Sequence, residues 1–194
     1  MKYWVLTTGV AIMAVMTGEF TQDQLPNGVQ IETDLPQENI IQECGIYDGK
    51  LVHIGVKPSP LYKLDDAEPQ WIIDTSLVEQ YKENLKSKID DIRKQKSTEP
   101  IEYYNSVFDA NEVSIQNLNA WQLQLMAGVN LPDGFVWRDH FNNDHLVDAA
   151  FINGLAAAIT LRGTSLYTVA WAKKAEVDQL SIDDLLTYDP EINW

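Results

Sequence analysis

A single cysteine, Cys44, stands in the whole chain. That excludes an internal disulfide and any metal cluster built on several cysteines. Positive charge is scarce: 14 Lys and Arg stand against 29 Asp and Glu, a net charge of -15. A surface this negative repels phosphate backbones and anionic headgroups, so neither nucleic acid nor a membrane surface is an expected partner. No apolar run approaches the ~20 residues needed to cross a bilayer, so membrane insertion is not expected. There is no internal repeat of fixed period and no low-complexity tract. The chain also lacks a Gly-x-Ser-x-Gly elbow, a Gly-x-x-x-x-Gly-Lys loop and a His-Glu-x-x-His helix.

What is present is enough to pack a core, because 45% of the residues are hydrophobic. Lys2 followed by the apolar stretch Tyr3–Met16 resembles a short signal peptide, but Thr7-Thr8-Gly9 breaks the stretch with turn-forming residues. The expected reading is two strands, Tyr3–Thr8 and Val10–Thr17, joined near Gly9. Turn signals follow at Pro26-Asn27-Gly28 and Leu35-Pro36. Ile40–Tyr47 and Lys50–Val56 then flank Asp48-Gly49, a pair suited to a type I′ hairpin. Cys44 falls in the first of these strands, where a small buried hydrophobe is expected. His53 is expected to be an ordinary sheet residue. Residues 1–57 thus read as a small antiparallel β unit. Residues 58–75 read as a linker, since Pro58, Pro60 and Pro69 neither continue a helix nor donate to a ladder.

Residues 76–194 read as a helical region with short hairpins. Ser76 and Glu79 suit a capping box opening a helix over about 77–95. Val78, Leu85 and Ile92 repeat at sevens along it, a narrow seam fit for a coiled coil or one side of a small core. Ile101–Tyr104 and Val107–Phe108 suggest a hairpin around Asn105-Ser106. Asp109 or Asn111 caps a helix over about 112–127. Phe135–Arg138 and His145–Val147 suggest a second hairpin around Asn142-Asn143. Asp148 caps a long helix from Ala149 to about Leu180, its apolar face at Ile152, Leu155, Ile159, Leu166, Val169, Ala170 and Val177. Gly154 and Gly163 weaken that helix and suit close helix approach. A last turn is expected near Asp183–Leu186. The fold class expected is therefore α+β.

Several of these segments carry a family resemblance. They are Phe135-Val136-Trp137-Arg138-Asp139, Asn142-Asn143, Gly154–Ile159 and Ala170-Trp171-Ala172-Lys173-Lys174-Ala175. Upstream of them stand Tyr104–Asp109 and Ser114–Trp121. In this order they resemble a domain of unknown function found in phage and prophage tail-fibre and tail-fibre-assembly proteins. The resemblance covers roughly residues 71–180, and its motifs are compositional. It implies assembly or virion structure: partners among other tail, baseplate or fibre proteins, a symmetric homo-oligomer or multiple copies, and a place in the virion after synthesis in the host cytoplasm. It brings no catalytic residue.

The best candidate for chemistry is Asp139-His140-Phe141-Asn142-Asn143-Asp144-His145, with two of the three histidines and several oxygen donors. It matches no zinc or calcium pattern, and a solvated hairpin tip explains it better. No catalytic residue, metal or cofactor is expected. Trp71, Trp121, Trp137 and Trp171 fall on elements with apolar neighbours and read as core. Trp4 and Trp194 lie at the termini, where an aromatic can anchor a partner; for Trp194, packing back on its own domain is expected equally. The partner-binding candidates are Trp4, Val78, Leu85, Ile92, Trp171 and Trp194. The functions open are a structural tail component, a tail-fibre assembly chaperone and, last, a tail carbohydrate hydrolase.

Overall fold

The computed structural model describes residues 1–194, which divide into two compact units, Met1–Gln80 and Tyr81–Trp194. The first is a five-stranded antiparallel sheet with a helix and a small hairpin. β1 (Lys2–Thr8) and β2 (Ala11–Met16) form the expected first hairpin, with Gly9 at φ 60 in its turn. β3 (Gly28–Glu32) pairs with the other edge of β1. The short helix α1 (Gln37–Glu43) leads into β4 (Cys44–Tyr47) and β5 (Lys50–His53). The sheet order is β3-β1-β2-β4-β5. β1, flanked by β3 and β2, buries Tyr3, Trp4 and Val5 alike. Tyr3 and Val5 join Ile12, Val15, Ile31, Ile40, Cys44 and Ile46 in one core.

Two features here depart from the sequence reading. The strand expected over Ile40–Tyr47 gives its first four residues to α1. Pro36 precedes the helix, where a missing N–H costs nothing, and Ile40 and Cys44 share its buried side. The linker expected over 58–75 is folded. β6 (Tyr62–Leu64) and β7 (Trp71–Ile73) pair within it as a hairpin. The prolines lie outside both strands, so no ladder bond is lost. Tyr47 Oη donates to Asp65 O at 2.6 Å and Trp71 Nε1 to Gly55 O at 2.9 Å, tying that hairpin into the unit. The Asp48-Gly49 turn is as expected, with φ 50 and 74, the signature of type I′.

α2 (Thr75–Thr98) spans the boundary between the units. Its cap is Asp74 rather than Ser76: the Asp74 carboxylate accepts from Ser76 N at 3.1 Å and Ser76 Oγ at 2.6 Å. In the second unit, β8 (Ile101–Tyr103) and β9 (Ser106–Phe108) turn through Tyr104-Asn105, one residue earlier than expected. α3 (Glu112–Met126) is capped by Asn111, which accepts from Ser114 N at 3.0 Å. β10 (Val136–Arg138) pairs with β11 (Asp144–Leu146). α4 (Ala149–Gln179) is capped by Asp148, accepting from Phe151 N at 2.8 Å. α5 (Ile182–Thr187) closes the chain on a Ser181 cap.

The second core gathers Phe108, Ala110, Leu118, Ile152, Leu155, Ala156 and Ile159, with Trp121, Phe135, Trp137 and Phe151 packed around them. Fully burying each large apolar side chain is worth about 1.5–3 kcal/mol. α2 and α4 run antiparallel: Lys86 meets Asp178 at 2.7 Å, Asp90 meets Lys174 at 2.6 Å, the Arg93 guanidinium stacks 4.1 Å from the Tyr167 ring, and Arg162 donates to Ser97 O at 2.9 Å. The protein is therefore α+β, an antiparallel β unit followed by a helical region with short hairpins and one long helix near the C-terminus.

Candidate functional site

The Asp139–His145 segment folds as a tight clasp. Asp139 is nearly buried and gathers four donors. Phe141 N donates to it at 2.9 Å, Asn143 N at 2.8 Å, Asn143 Nδ2 at 3.0 Å and His145 Nε2 at 3.0 Å. The Asn143 amide leads these bonds in holding the carboxyl far below its usual range, against the opposing cost of desolvation. His140 N donates to Val107 O at 2.7 Å, and His140 Nδ1 to Asp109 Oδ1 at 2.6 Å, which fastens the β10–β11 hairpin to β9. The His145 ring stacks edge-on against Phe108, 5.3 Å between centroids. These donors and acceptors close on one another, and no three His, Cys, Asp or Glu side chains converge as a metal would need. The cluster organises a hairpin. His53 lies in β5 and pairs with Glu43 at 2.9 Å. Burial pushes the Cys44 thiol up, with Glu43 adding to it, which leaves it inert.

The expected partner-binding residues separate into three groups. Trp4 is 6% exposed on β1, which lies between β3 and β2, so it cannot anchor a partner. Leu85 is 4% exposed and Ile89 beside it is fully buried, and α2 is tied to the chain's own α4 through Lys86–Asp178 and Asp90–Lys174. Val78 and Ile92 are half-buried. Trp194 folds back on its own unit. Its Nε1 donates to Pro190 O at 2.7 Å, and the ammonium of buried Lys173 lies 5.6 Å from its ring while donating to Ile192 O. Of the six, Trp171 alone is exposed, at 65%, rather than in the core.

Trp171 does not stand by itself. Leu161 is 69% exposed and Tyr167 46%, and the Tyr167 and Trp171 rings lie 5.9 Å apart. All three are on α4, which is apolar on more than its core side. Of the face expected from the sequence, Ile152, Leu155, Ile159, Leu166, Ala170 and Val177 are buried and Val169 is half-buried. The outer face escaped that reading because Ala, Thr and Gly dilute its few large side chains. Its signal was the four- and three-residue spacing from Ala157 through Leu161 to Trp171.

Two further concavities accompany this face. In the first unit, Ile12, Ile41, Val56, Trp71 and Leu77 line a groove of about 520 Å³ that also presents Lys57 and Lys63. In the second, Leu125, Leu131, Phe135, Leu146 and Phe151 line an open cleft of about 690 Å³ beside the start of α4. The cleft also carries Tyr104, Asp133 and Asp148 on its wall. No helix is long and apolar enough to cross a membrane.

Fold and surface together define an α+β protein whose Asp139–His145 cluster holds a hairpin and whose α4 carries exposed apolar side chains. The chain belongs to the family described as Domain of unknown function (DUF4376), whose model matches residues 80–191. No curated protein and no solved structure matches the chain.

Proposed function

We propose that the protein is a non-enzymatic structural component of a bacteriophage tail or baseplate, attaching or supporting a tail fibre through protein–protein contacts. The observation that carries this reading is the outer face of α4, where Leu161, Tyr167 and Trp171 stand exposed on a helix already packed on its other side. Large aromatics and aliphatics in the open suit contact with another protein. The tail context comes from the resemblance over residues 71–180, which overlaps the family match. The groups best suited to acid–base work, Asp139, His140 and His145, are engaged in holding hairpins, which favours a structural role over catalysis.

The alternative within the same setting is an assembly chaperone that leaves before the particle is complete. The net charge of -15 suits a chain that must stay soluble while unattached. Quantitative mass spectrometry of purified particles, alongside infected-cell lysate, separates the two. A structural component is present in particles at a fixed ratio to the major tail protein. A protein abundant in lysate and missing from particles points to the chaperone. Release of reducing sugar from host polysaccharide by the purified chain would contradict both.

A further inference from the structure

The groove of about 520 Å³ in the first unit runs against the charge of the chain around it. Met1–Gln80 holds four lysines (Lys2, Lys50, Lys57 and Lys63), no arginine and twelve acids. Two of those four lysines line the groove, and no Asp or Glu does. Both are exposed, and neither makes an ion pair; the lysine ion pairs of this protein belong to Lys86, Lys94 and Lys174. Lys63 shares its surroundings with Asp65 and Asp74, which leaves Lys57 the freer cation. The rest of the wall is largely apolar, with Ile41 and Val56 exposed on it.

The groove also follows a free strand edge. Tyr62, Lys63 and Leu64 are consecutive in β6, and all three line it. Successive side chains of a strand point to opposite faces, so a cavity that touches all three runs along the strand's edge. β7 occupies one edge. Asp74 N donates to Leu61 O at 2.8 Å and Asp65 N to Gln70 O at 3.0 Å, and Lys63 faces Ile72 between them. Leu61, Lys63 and Asp65 are therefore the positions bonded to β7. Tyr62 and Leu64 turn their backbone groups to the other edge, which no strand pairs. Tyr62 N reaches Ser59 O at 3.2 Å, while Tyr62 O, Leu64 N and Leu64 O have no partner in the protein. An unpaired edge of this kind is a template for another strand.

We propose that β6 accepts an extended segment of another protein as an added strand, in which acidic side chains alternate with apolar ones. The pattern follows from the two faces of β6. Leu64 is buried, so one face of the added strand meets apolar side chains in the groove. Lys63 is exposed on the opposite face, so the alternate positions meet a cation, and Lys57 adds a second. Main-chain hydrogen bonds to Tyr62 and Leu64 set the register, and the alternate side chains give specificity. A basic segment would meet like charge here. The net charge of -15 acts weakly at this contact, because salt screens charges more than ~8 Å away at physiological strength. The contact is separate from the outer face of α4 and does not depend on it.

Two synthetic peptides test this against the isotope-labelled full-length chain by NMR titration. One alternates valine with aspartate, the other valine with lysine. The aspartate peptide should shift the Leu64 amide and Trp71 indole signals and bind roughly 10-fold or more tighter than the lysine peptide. At saturation the Leu64 amide should exchange with solvent about 10-fold more slowly or less, because it gains an acceptor. Lys57→Glu combined with Lys63→Glu should reverse the preference, and both side chains are exposed, so the fold is kept. No binding of the aspartate peptide up to about 2 mM overturns the proposal, and so does equal binding of the two peptides. Binding that leaves Leu64 exchange unchanged overturns the added strand. A Leu64 signal that moves with protein concentration alone gives the edge to a second copy of this chain, which also overturns the proposal. Each of these results leaves the tail assignment to the particle measurement.

Discussion

Asp139 shows how a polar residue can be structural without being a site. Its carboxylate accepts from two backbone amides and two side chains of its own hairpin. Those bonds favour the charged form, so the folded protein holds this carboxyl below its unfolded value of about 3.9. The stability it contributes is therefore full above that value and fades as pH falls through the folded-state range. Asp139→Asn should lower the melting temperature at pH 7, and the gap from the parent should shrink progressively toward pH 2. A gap that does not change with pH would contradict the carboxylate's role. The sequence marked the segment as a hairpin tip with good reason, since Asn and Asp tolerate such turns; Asn142 does stand at φ 64. It did not reveal which acid was the hub, because that depends on which one the hairpin covers.

The two glycines of α4 behave oppositely for a reason no local rule supplies. A Cβ at Gly154 would collide with the hydroxyl of Tyr103, whose ring is held by Tyr104 and Phe151 at 4.7 and 5.2 Å. A Cβ at Gly163 would meet open space. Gly163→Ala should therefore stabilise by up to ~1 kcal/mol through helix propensity, while Gly154→Ala should destabilise despite the same gain. Thermal melts of the two variants decide this, and equal shifts would contradict it.

At the scale of elements, the start of α4 at Asp148 was legible, Asn111 was one of two caps expected for α3, and the caps of α2 (Asp74) and α5 (Ser181) were not foreseen. Asn111, Asp148 and Ser181 each accept from the backbone amide three residues on. Asp148→Ala should cost about 1 kcal/mol. For a chain of this size that is roughly 2–4 °C in melting temperature, read by calorimetry. A shift near zero would mean that packing of the first turn, not the cap, fixes where α4 begins. β3 was not legible: Gly28–Glu32 has five residues between two turn signals, and its strand character comes from the free edge of β1. The β6–β7 hairpin was hidden for a related reason. Three-residue strands amid prolines and acids look like linker until Tyr47 and Trp71 fasten them. The α2 seam of Val78, Leu85 and Ile92 was visible, but spacing alone cannot tell a partner in the same chain from one outside. Here Leu85 is buried within the chain's own fold.

For the whole molecule, the account turns on what α4 leaves uncovered. One side of it closes the core of the second unit; the other keeps Leu161 and Trp171 in solvent. Of the six residues singled out from sequence as contacts, Trp171 alone is exposed. Terminal position misled for Trp4, since a first strand can lie inside its sheet; for Trp194 the tail folds back, one of the two outcomes expected. The central claim is that the outer α4 face is covered by protein when the chain does its work. Hydroxyl-radical footprinting compares Trp171 in the dilute free chain with Trp171 in purified phage particles. The account predicts ready oxidation in the free chain and strong protection in the particle. Equal oxidation in both would contradict it.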